Sequence, residues 1–298
     1  MRWRQRKDLP FERGETFGIV TRFEVIKASH SPPAAVPPLA GWPWMNAPAF
    51  GRDVAPLERS SGATGFARGA PHSKSQEVAD MYTLRLYEDR FVPGAKSLRD
   101  LEAQHSIVYV YEGSVTVNGQ VVKKDTAAYS KDVTTIEAGS GGAWVWRWEL
   151  VRTAEPTNLP QGEGVKSHLR MSRRIRMFEL VPTSKWLFRV DCIVNNEGST
   201  GLHSHPGSGI RCMLEGHLRV ESEKGESSDN KRPGDVWYEE GSYPLVSTSD
   251  PGEKATFLRG MVLPPEYIKY PDTAVWIEGK KSCKSDWKNY VQNVVTLL

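Results

Sequence analysis

Short segments in which apolar and polar residues alternate follow each other along most of the chain. MYTLRLYEDRFV and GAWVWRWELV alternate with a period of two, and SIVYVYEG is β-branched and aromatic up to a Glu-Gly turn. A period of two is typical of strands that bury one face. SVTVNGQVVKK contains the Asn-Gly pair of a two-residue hairpin turn. Short strands of this kind, separated by turns, indicate an all-β sandwich or barrel.

The same succession of strands occurs twice. After a polar connector, EPTNLPQGEGVKSHLRMSRRIR, the chain continues with KWLFRVDCIV, IRCMLEGHLRVES, PGDVWYEEG and ATFLRGMVL. SIVYVYEGSVTV aligns with GIRCMLEGHLRV, and the Glu-Gly turn falls at the same place in both segments. An internal repeat of this length indicates a duplicated domain. The sequence therefore predicts two tandem β-barrels, over residues 79–155 and 176–298.

The segment before these strands, residues 1–78, has a different composition. It contains SPPAAVPPLAGWPW and RSSGATGFARGAPHSKSQ, which are rich in Pro, Gly, Ala and Ser and lack a period of 2 or 3.6. This composition predicts a long irregular arm with little core of its own. Its Trp42, Trp44 and Phe50 favour packing across a neighbouring subunit, and so a homodimer. The alternative is a natural start at Met81, with the arm outside the folded unit.

Composition and charge narrow the classes of function. The chain has 39 Lys and Arg against 36 Asp and Glu, so it lacks the basic field of a nucleic-acid-binding protein. Neither a membrane span nor a signal peptide is expected, because the apolar runs are short and none follows the basic start MRWRQRKDLP. Three Cys at irregular spacing fit neither a disulfide framework nor a zinc knuckle. The sequence predicts a cytoplasmic protein whose partner is a small molecule.

The segment GLHSHPGSGIRCMLEGHLRV places His203 and His205 before an apolar strand and a turn at Gly216. This segment resembles the first motif of the cupins, which has His-x-His and a later Gly at the same spacing. PGDVWYEEG resembles the start of the second cupin motif. The resemblance covers residues 81 to about 265. It implies a bicupin, with two tandem antiparallel jelly-roll barrels and any site inside a barrel.

The cupin metal motif is degenerate in this chain. Gly209 occupies the place of the family's ligand Glu, and Pro244 or Leu245 that of its last His. In the first half, the four equivalent positions carry Asp100, Glu102, Ser106 and Thr134 or Thr135. The resemblance therefore implies a partial metal motif in the second barrel and no recognisable one in the first.

Two histidines need a further ligand to hold a metal. The candidates are Glu239 or Glu240 on the following strand, or a carboxylate that the substrate brings. Two imidazoles and one carboxylate with open positions suit mononuclear iron, and three protein ligands plus water also suit zinc or manganese. The sequence predicts a divalent metal, Fe, Mn or Zn, at His203, His205 and Glu239.

The alternation of side chains between the two faces of a strand identifies a candidate substrate contact. Arg211 and Met213 share a face with Gly209 and are therefore expected inside the barrel, whereas Cys212 is expected outside it. An Arg inside a barrel must be paired, and its planar guanidinium suits a carboxylate or a phosphate. Arg211 and Met213 are predicted to contact a small carboxylate-bearing substrate. The alternative is a structural ion pair between Arg211 and Glu239.

Three other features have structural interpretations. Trp144, Trp146 and Trp148 share one strand face, which predicts a core or subunit-contact stripe. Cys212 has no nearby partner that would activate it, so no catalysis is assigned to it. His217 follows the turn glycine and is expected to be exposed.

Two functions are compatible with these residues. The first is a metal-dependent cupin enzyme, an oxygenase, isomerase or lyase, acting on a small carboxylate; the two histidines and the inward Arg favour it. The second is a non-catalytic bicupin that binds a small molecule or forms a structural dimer; the loss of two usual ligands favours it. Cupins include all of these activities, so the fold does not decide between them.

Overall fold

The computed structural model describes four stretches of the chain: residues 82–97, 100–175, 184–277 and 285–297. All of them belong to one compact unit, residues 67–298. The regular elements in these stretches are antiparallel strands and one 3-10 helix, so the all-β prediction is confirmed. No helix in the described stretches is long and apolar enough to cross a membrane. The predicted arm and Met81 lie outside the described residues.

The first barrel is built from a six-stranded sheet in the order β3-β2-β5-β1-β6, with β4 paired to β2. Its strands are β1 Tyr82–Phe91, β2 Leu101–Val117, β3 Gln120–Lys123, β4 Thr126–Thr134, β5 Ile136–Arg152 and β6 Val165–Arg174. The inner face of the sheet encloses an apolar core that includes Val108, Val110, Val115, Ile136 and Val145. The predicted Asn-Gly hairpin joins β2 to β3 with both turn residues at positive φ, as this turn requires.

The predicted polar connector between the barrels is only partly irregular. Its second half forms β6, which pairs with β1 and extends the first barrel beyond the predicted end at residue 155. Alternate positions of β6 are only half-buried, and Ser167 and Arg173 are among them. Polar residues on both faces hide the period-two signal, which is why the sequence pattern did not predict this strand.

The second barrel consists of two facing sheets. Their orders are β13-β10-β15-β7-β17 and β12-β11-β14-β9-β16, with β8 paired to β14. The strands are β7 Lys185–Asn195, β8 Gly198–Ser199, β9 His203–Ser204, β10 Gly209–Glu215, β11 Leu218–Ser222, β12 Ser228–Asn230, β13 Val236–Glu239, β14 Leu245–Ser249, β15 Ala255–Leu263, β16 Val275–Trp276 and β17 Ser285–Thr296. The 3-10 helix, Pro265–Lys269, lies between β15 and β16. The predicted C-terminal tail thus contributes a strand, β17, to the sheet edge beside β7.

The outer faces of the two barrels share one apolar core. Trp146 and Trp148 are almost completely buried in it, and Trp148 Nε1 donates a hydrogen bond to the Ile210 carbonyl at 3.2 Å. Cys212 also lies in this core, which agrees with its predicted direction away from the barrel interior. The tryptophan stripe is therefore a core stripe, and it joins the two barrels of one chain.

Candidate functional site

A small, partly open cavity of about 50 Å³, with polar and apolar walls, lies in the second barrel. His203, His205 and Glu239 line it together with Arg259. All four side chains are buried, with at most 8% of their surface exposed. The three residues that the sequence predicted as metal ligands thus share one cavity.

Strand register brings these residues to the same place. His203 lies on the short strand β9, which pairs with Leu245 of β14 on one side and with Trp276 of β16 on the other. Glu239 ends β13 directly opposite Gly209 of β10. Since Gly209 stands where a ligand Glu was expected, the carboxylate of Glu239 approaches the cavity from the neighbouring strand instead.

Backbone carbonyls orient both imidazole rings. His203 Nδ1 lies 3.0 Å from the Gly201 carbonyl, and His205 Nδ1 lies 3.2 Å from the Thr273 carbonyl. A carbonyl oxygen can only accept a hydrogen bond, so Nδ1 carries the proton in each ring and Nε2 of the neutral ring has a free lone pair. Rings held in this way present Nε2 as a metal ligand does.

Burial sets the protonation states in the cavity. Desolvation, together with the neighbouring His205, lowers the pKa of His203 to about 4, and desolvation also lowers the pKa of His205. Burial alone would raise the pKa of Glu239, but the Arg211 charge and the contact with His205 outweigh it and hold this pKa far below its usual range. At neutral pH the site therefore contains two neutral imidazoles and one carboxylate.

Arg211 is paired with Glu239 inside the barrel. Its Nη2 lies 2.6 Å from Glu239 Oε2, and its Nη1 donates to the Gly209 carbonyl. The guanidinium is fully buried and is not among the groups that line the cavity. Met213 packs in the apolar interior next to the cavity, with Trp237 in the same cluster. The structure shows the ion pair that the sequence left open as an alternative, and it places neither predicted substrate contact on the cavity wall.

Arg259 is the cavity residue that sequence reasoning missed. It lies on β15, directly opposite Arg211 on β10. Its Nε and Nη2 bind the two oxygens of Asp191 at 2.8 Å each, and its Nη1 donates to Thr273 Oγ1 at 3.2 Å. The internal repeat contains a signal for it, because WVWRWELV of the first barrel has a buried Arg147 at the same place as Arg259 in TFLRGMVL.

The segment 264–277, here called the strap, closes one side of the cavity. Arg189 donates to the carbonyls of Tyr270 and Pro271 at 3.0 Å each, and Thr273 contacts both His205 and Arg259. The Trp276 ring packs against His203 with 5.0 Å between ring centroids. The strap thus contacts both histidines of the site.

The side chains in the cavity are of the types that bind divalent metals, although their ligand atoms are not already arranged around one common point. Within the described stretches, no group of three or more His, Cys, Asp and Glu is placed to hold a metal ion. His205 Nε2 is in contact with Glu239 Oε2 at 3.2 Å, while the ring of His203 lies beside that of His205, 5.0 Å between centroids. Two neutral, carbonyl-oriented imidazoles and an ionised carboxylate are donors that iron, manganese and zinc accept.

The sequence prediction for His217 was wrong. Its side chain is only 13% exposed, because it bridges Asp250, 2.7 Å from its Nδ1, and Asp229, in contact with its Nε2. These two hydrogen bonds raise the pKa of His217. The residue joins two loops at the surface and has no contact with the cavity residues described above.

The two barrels repeat one strand order. In the first, β2, β5, β1 and β6 are neighbours in that order, and in the second β10, β15, β7 and β17 take the same places. The aligned segments SIVYVYEG and RCMLEG lie on the equivalent strands β2 and β10. The fold is therefore that of two tandem jelly-roll β-barrels. Only the second barrel has the His-x-His pair.

Comparison with protein-family models and with curated proteins gives no match for this chain. Solved structures of similar fold include salicylate 1,2-dioxygenase from Pseudoaminobacter salicylatoxidans in complex with gentisate, with 13% identity, a TM-score of 0.41, and 66% of this chain and 73% of that chain covered. Oxalate decarboxylase from Bacillus subtilis has 13% identity and a TM-score of 0.42, with 65% and 71% covered. The Lactobacillus farciminis oxalate decarboxylase formate complex has 11% identity and a TM-score of 0.43, with 65% and 79% covered.

Proposed function

We propose that the second barrel binds a divalent metal through His203, His205 and Glu239, next to a small carboxylate. One observation carries this proposal: both ring nitrogens of His205 face oxygen acceptors, the Thr273 carbonyl and, at 3.2 Å, Glu239 Oε2. With the ring proton on Nδ1, the Nε2 lone pair and the carboxylate are two acceptors in contact, and a cation between them would satisfy both. Burial lowers the pKa of His205 and so disfavours a proton in that place, whereas a metal ion would satisfy both atoms.

The distance between His205 Nε2 and Glu239 Oε2 supports the same proposal. Ligand atoms about 2.1 Å from a metal and at right angles to each other are about 3 Å apart. The separation of His205 Nε2 and Glu239 Oε2, 3.2 Å, is of this size. When bound, such a metal would supply Lewis acidity or activate oxygen. The protein's own part is to hold the imidazoles neutral and to keep the carboxylate ionised.

Arg259 supports the proposal that a small carboxylate binds next to the metal. A guanidinium has five N–H donors, and three of those of Arg259 are used by Asp191 and Thr273, which leaves two. Arg259 lines the cavity, so these donors are available to a ligand anion there. Arg211 was predicted for this role from the sequence, but its partner is Glu239. We assign the orientation of the ligand to Arg259 and the orientation of Glu239 to Arg211.

Metal analysis of the purified full-length protein tests the proposal. Wild type is expected to contain about one equivalent of Fe, Mn or Zn, and the double variant His203→Ala/His205→Ala none, with an unchanged far-ultraviolet spectrum. His168→Ala is the matched control, because His168 is an exposed histidine on β6 of the first barrel. Equal metal content in wild type and the double variant would falsify the metal site.

A second function, a metal-free binder of small anions without catalysis, has its own supporting observation. Both oxygens of Glu239 already have protein partners, since Trp237 Nε1 donates to Oε1 at 2.8 Å and Arg211 lies 2.6 Å from Oε2. The two candidates are separated by calorimetric titration with acetate before and after treatment with a chelator. Binding that depends on the metal favours the first candidate, and equal binding without metal favours the second.

A further inference from the structure

The cavity has room for only a small group of ligand atoms. Its volume is about 50 Å³, and about 10–15 Å³ of such space holds one water molecule, so it offers about four positions for non-hydrogen atoms. Sites for larger organic ligands have volumes of about 300–1,000 Å³. The part of a ligand that this space holds beside Arg259 is therefore about the size of acetate.

Trp276 is the largest side chain that the strap contributes to the cavity wall. Its ring lies 5.0 Å from the ring of His203, at an angle of 44°. The backbone of Trp276 pairs with that of His203 across β16 and β9, and Ile277 N donates to the Leu202 carbonyl at 3.0 Å. These backbone bonds hold the strap in place whatever side chain residue 276 has. A smaller side chain there would enlarge the cavity next to His203.

We propose that Trp276 determines the specificity of this site, by restricting its ligands to carboxylates of about three to five non-hydrogen atoms. The inference rests on the proposed binding of a carboxylate beside Arg259 and specifies its substrate class. Longer acids are excluded because their alkyl chain meets the indole. Removal of the indole opens apolar space that a longer chain fills.

Calorimetric titration of the full-length protein, as purified, with formate, acetate, butyrate and hexanoate tests the proposal. Wild type is expected to bind formate and acetate and to lose at least tenfold in affinity at butyrate. Trp276→Ala is expected to bind butyrate and hexanoate, with affinity rising about fourfold for each methylene that the enlarged cavity buries. Trp276→Phe is expected to lie between the two. Trp144→Ala is the matched control, because Trp144 is a half-buried indole of the first barrel. This variant should bind acids up to the same chain length as wild type.

The outcomes separate this inference from the proposed function. Wild-type binding of hexanoate as tight as that of acetate would overturn the size limit and leave carboxylate binding in place. If Trp276→Ala has a wild-type circular dichroism spectrum and the same limit on acid chain length as wild type, Trp276 does not set that limit. If Trp276→Ala misfolds, the chain-length limit of Trp276→Phe provides the same test. If wild type binds none of these acids, the proposed binding of a small carboxylate next to the metal is wrong. The proposed role of Trp276 then fails as well.

Discussion

The ion pair between Arg211 and Glu239 determines the electrostatics of the site at the scale of single residues. Both side chains are buried, with 0% and 7% of their surface exposed, and Trp237 and His205 contact the same carboxylate. A buried ion pair of this kind contributes little net stability against an apolar pair, but removal of one partner leaves an uncompensated charge in the interior. Arg211 therefore matters chiefly because it keeps Glu239 ionised and in place.

Arg211→Met is expected to destabilise the protein by about 3–5 kcal/mol, because Glu239 loses its cationic partner. Arg211→Met/Glu239→Gln should be more stable than the single variant, since the remaining charge is removed as well. Urea unfolding at neutral pH measures both free energies. Arg232→Met is the control, because the Arg232 side chain is 85% exposed and its pair with Asp235 is 3.9 Å long; a change within about 0.5 kcal/mol is expected. A similarly small loss in Arg211→Met would show that the pair is not coupled to stability.

His203 should make stability depend on pH in the metal-free protein. Its pKa is about 4 in the folded state against about 6.5 unfolded, so between these values the unfolded chain binds more protons. The contribution of His203 is fully present above pH 6.5 and is lost as the pH falls towards 4, by about 3 kcal/mol in total.

Unfolding by urea at pH 7, 6 and 5 measures this dependence, and a proton NMR titration gives the pKa of His203 directly. His203→Gln should flatten the pH dependence, whereas His168→Ala should not. A pKa near 6.5 for His203 in the folded protein would contradict the burial of its neutral ring.

At the scale of elements, the strap depends on polar contacts for its position. It contains one short 3-10 helix and the two-residue strand β16, and the helix buries none of its residues. Buried arginines of the barrel, Arg189 and Arg259, donate to strap oxygens instead. Segments held in this way open more readily than strands held by an apolar core.

Thr273→Val is expected to increase local opening of the strap about fivefold. The variant removes the hydroxyl that accepts from Arg259 but keeps the carbonyl that binds His205, and one lost hydrogen bond is worth about 1 kcal/mol. Hydrogen exchange of the amides in residues 265–277 measures the opening. Thr248→Val, which removes a hydroxyl contact between Thr248 of β14 and Ser199 of β8, should leave strap exchange unchanged. Unaltered exchange in Thr273→Val would show that the Arg259 contact does not hold the strap.

At the scale of the whole molecule, one core joins the two barrels. Trp148 of the first barrel lies over the backbone of β15 in the second, where an added Cβ at Gly260 would collide with the indole. The same side chain donates to the Ile210 carbonyl on β10. The described residues therefore unite the barrels in one compact unit. A homodimer and a cytoplasmic location stay predictions from the sequence.

Gly260→Ala is expected to destabilise the whole described unit by about 1–3 kcal/mol, because the new methyl group displaces Trp148 from the shared core. Both barrels should unfold together in wild type and in the variant. Thermal unfolding followed by tryptophan fluorescence and by far-ultraviolet circular dichroism measures this. Gly141→Ala is the matched strand glycine, since its Cβ would meet no atom within 4 Å. A second transition in Gly260→Ala would mean that the barrels are energetically separate.

The alternation of residues along the chain was sufficient to predict the strands, the duplication and the direction of side chains on β10. These properties are local: successive residues of a strand point to opposite faces, so Arg211 had to lie inside the barrel and Cys212 in the core outside it. The Asn-Gly hairpin is local in the same sense. The His-x-His pair was equally visible, because its two rings are two residues apart.

Only the tertiary structure decided which charges meet inside the barrel. Glu239 lies opposite Gly209, and Arg259 opposite Arg211, because strands far apart in sequence pair in one register. A shift of one residue would turn each of these side chains to the other face, and the order of residues within one strand does not encode its partner's register. For this reason the tertiary structure was needed to decide that Arg211 pairs with Glu239 and that Arg259 lies on the cavity wall.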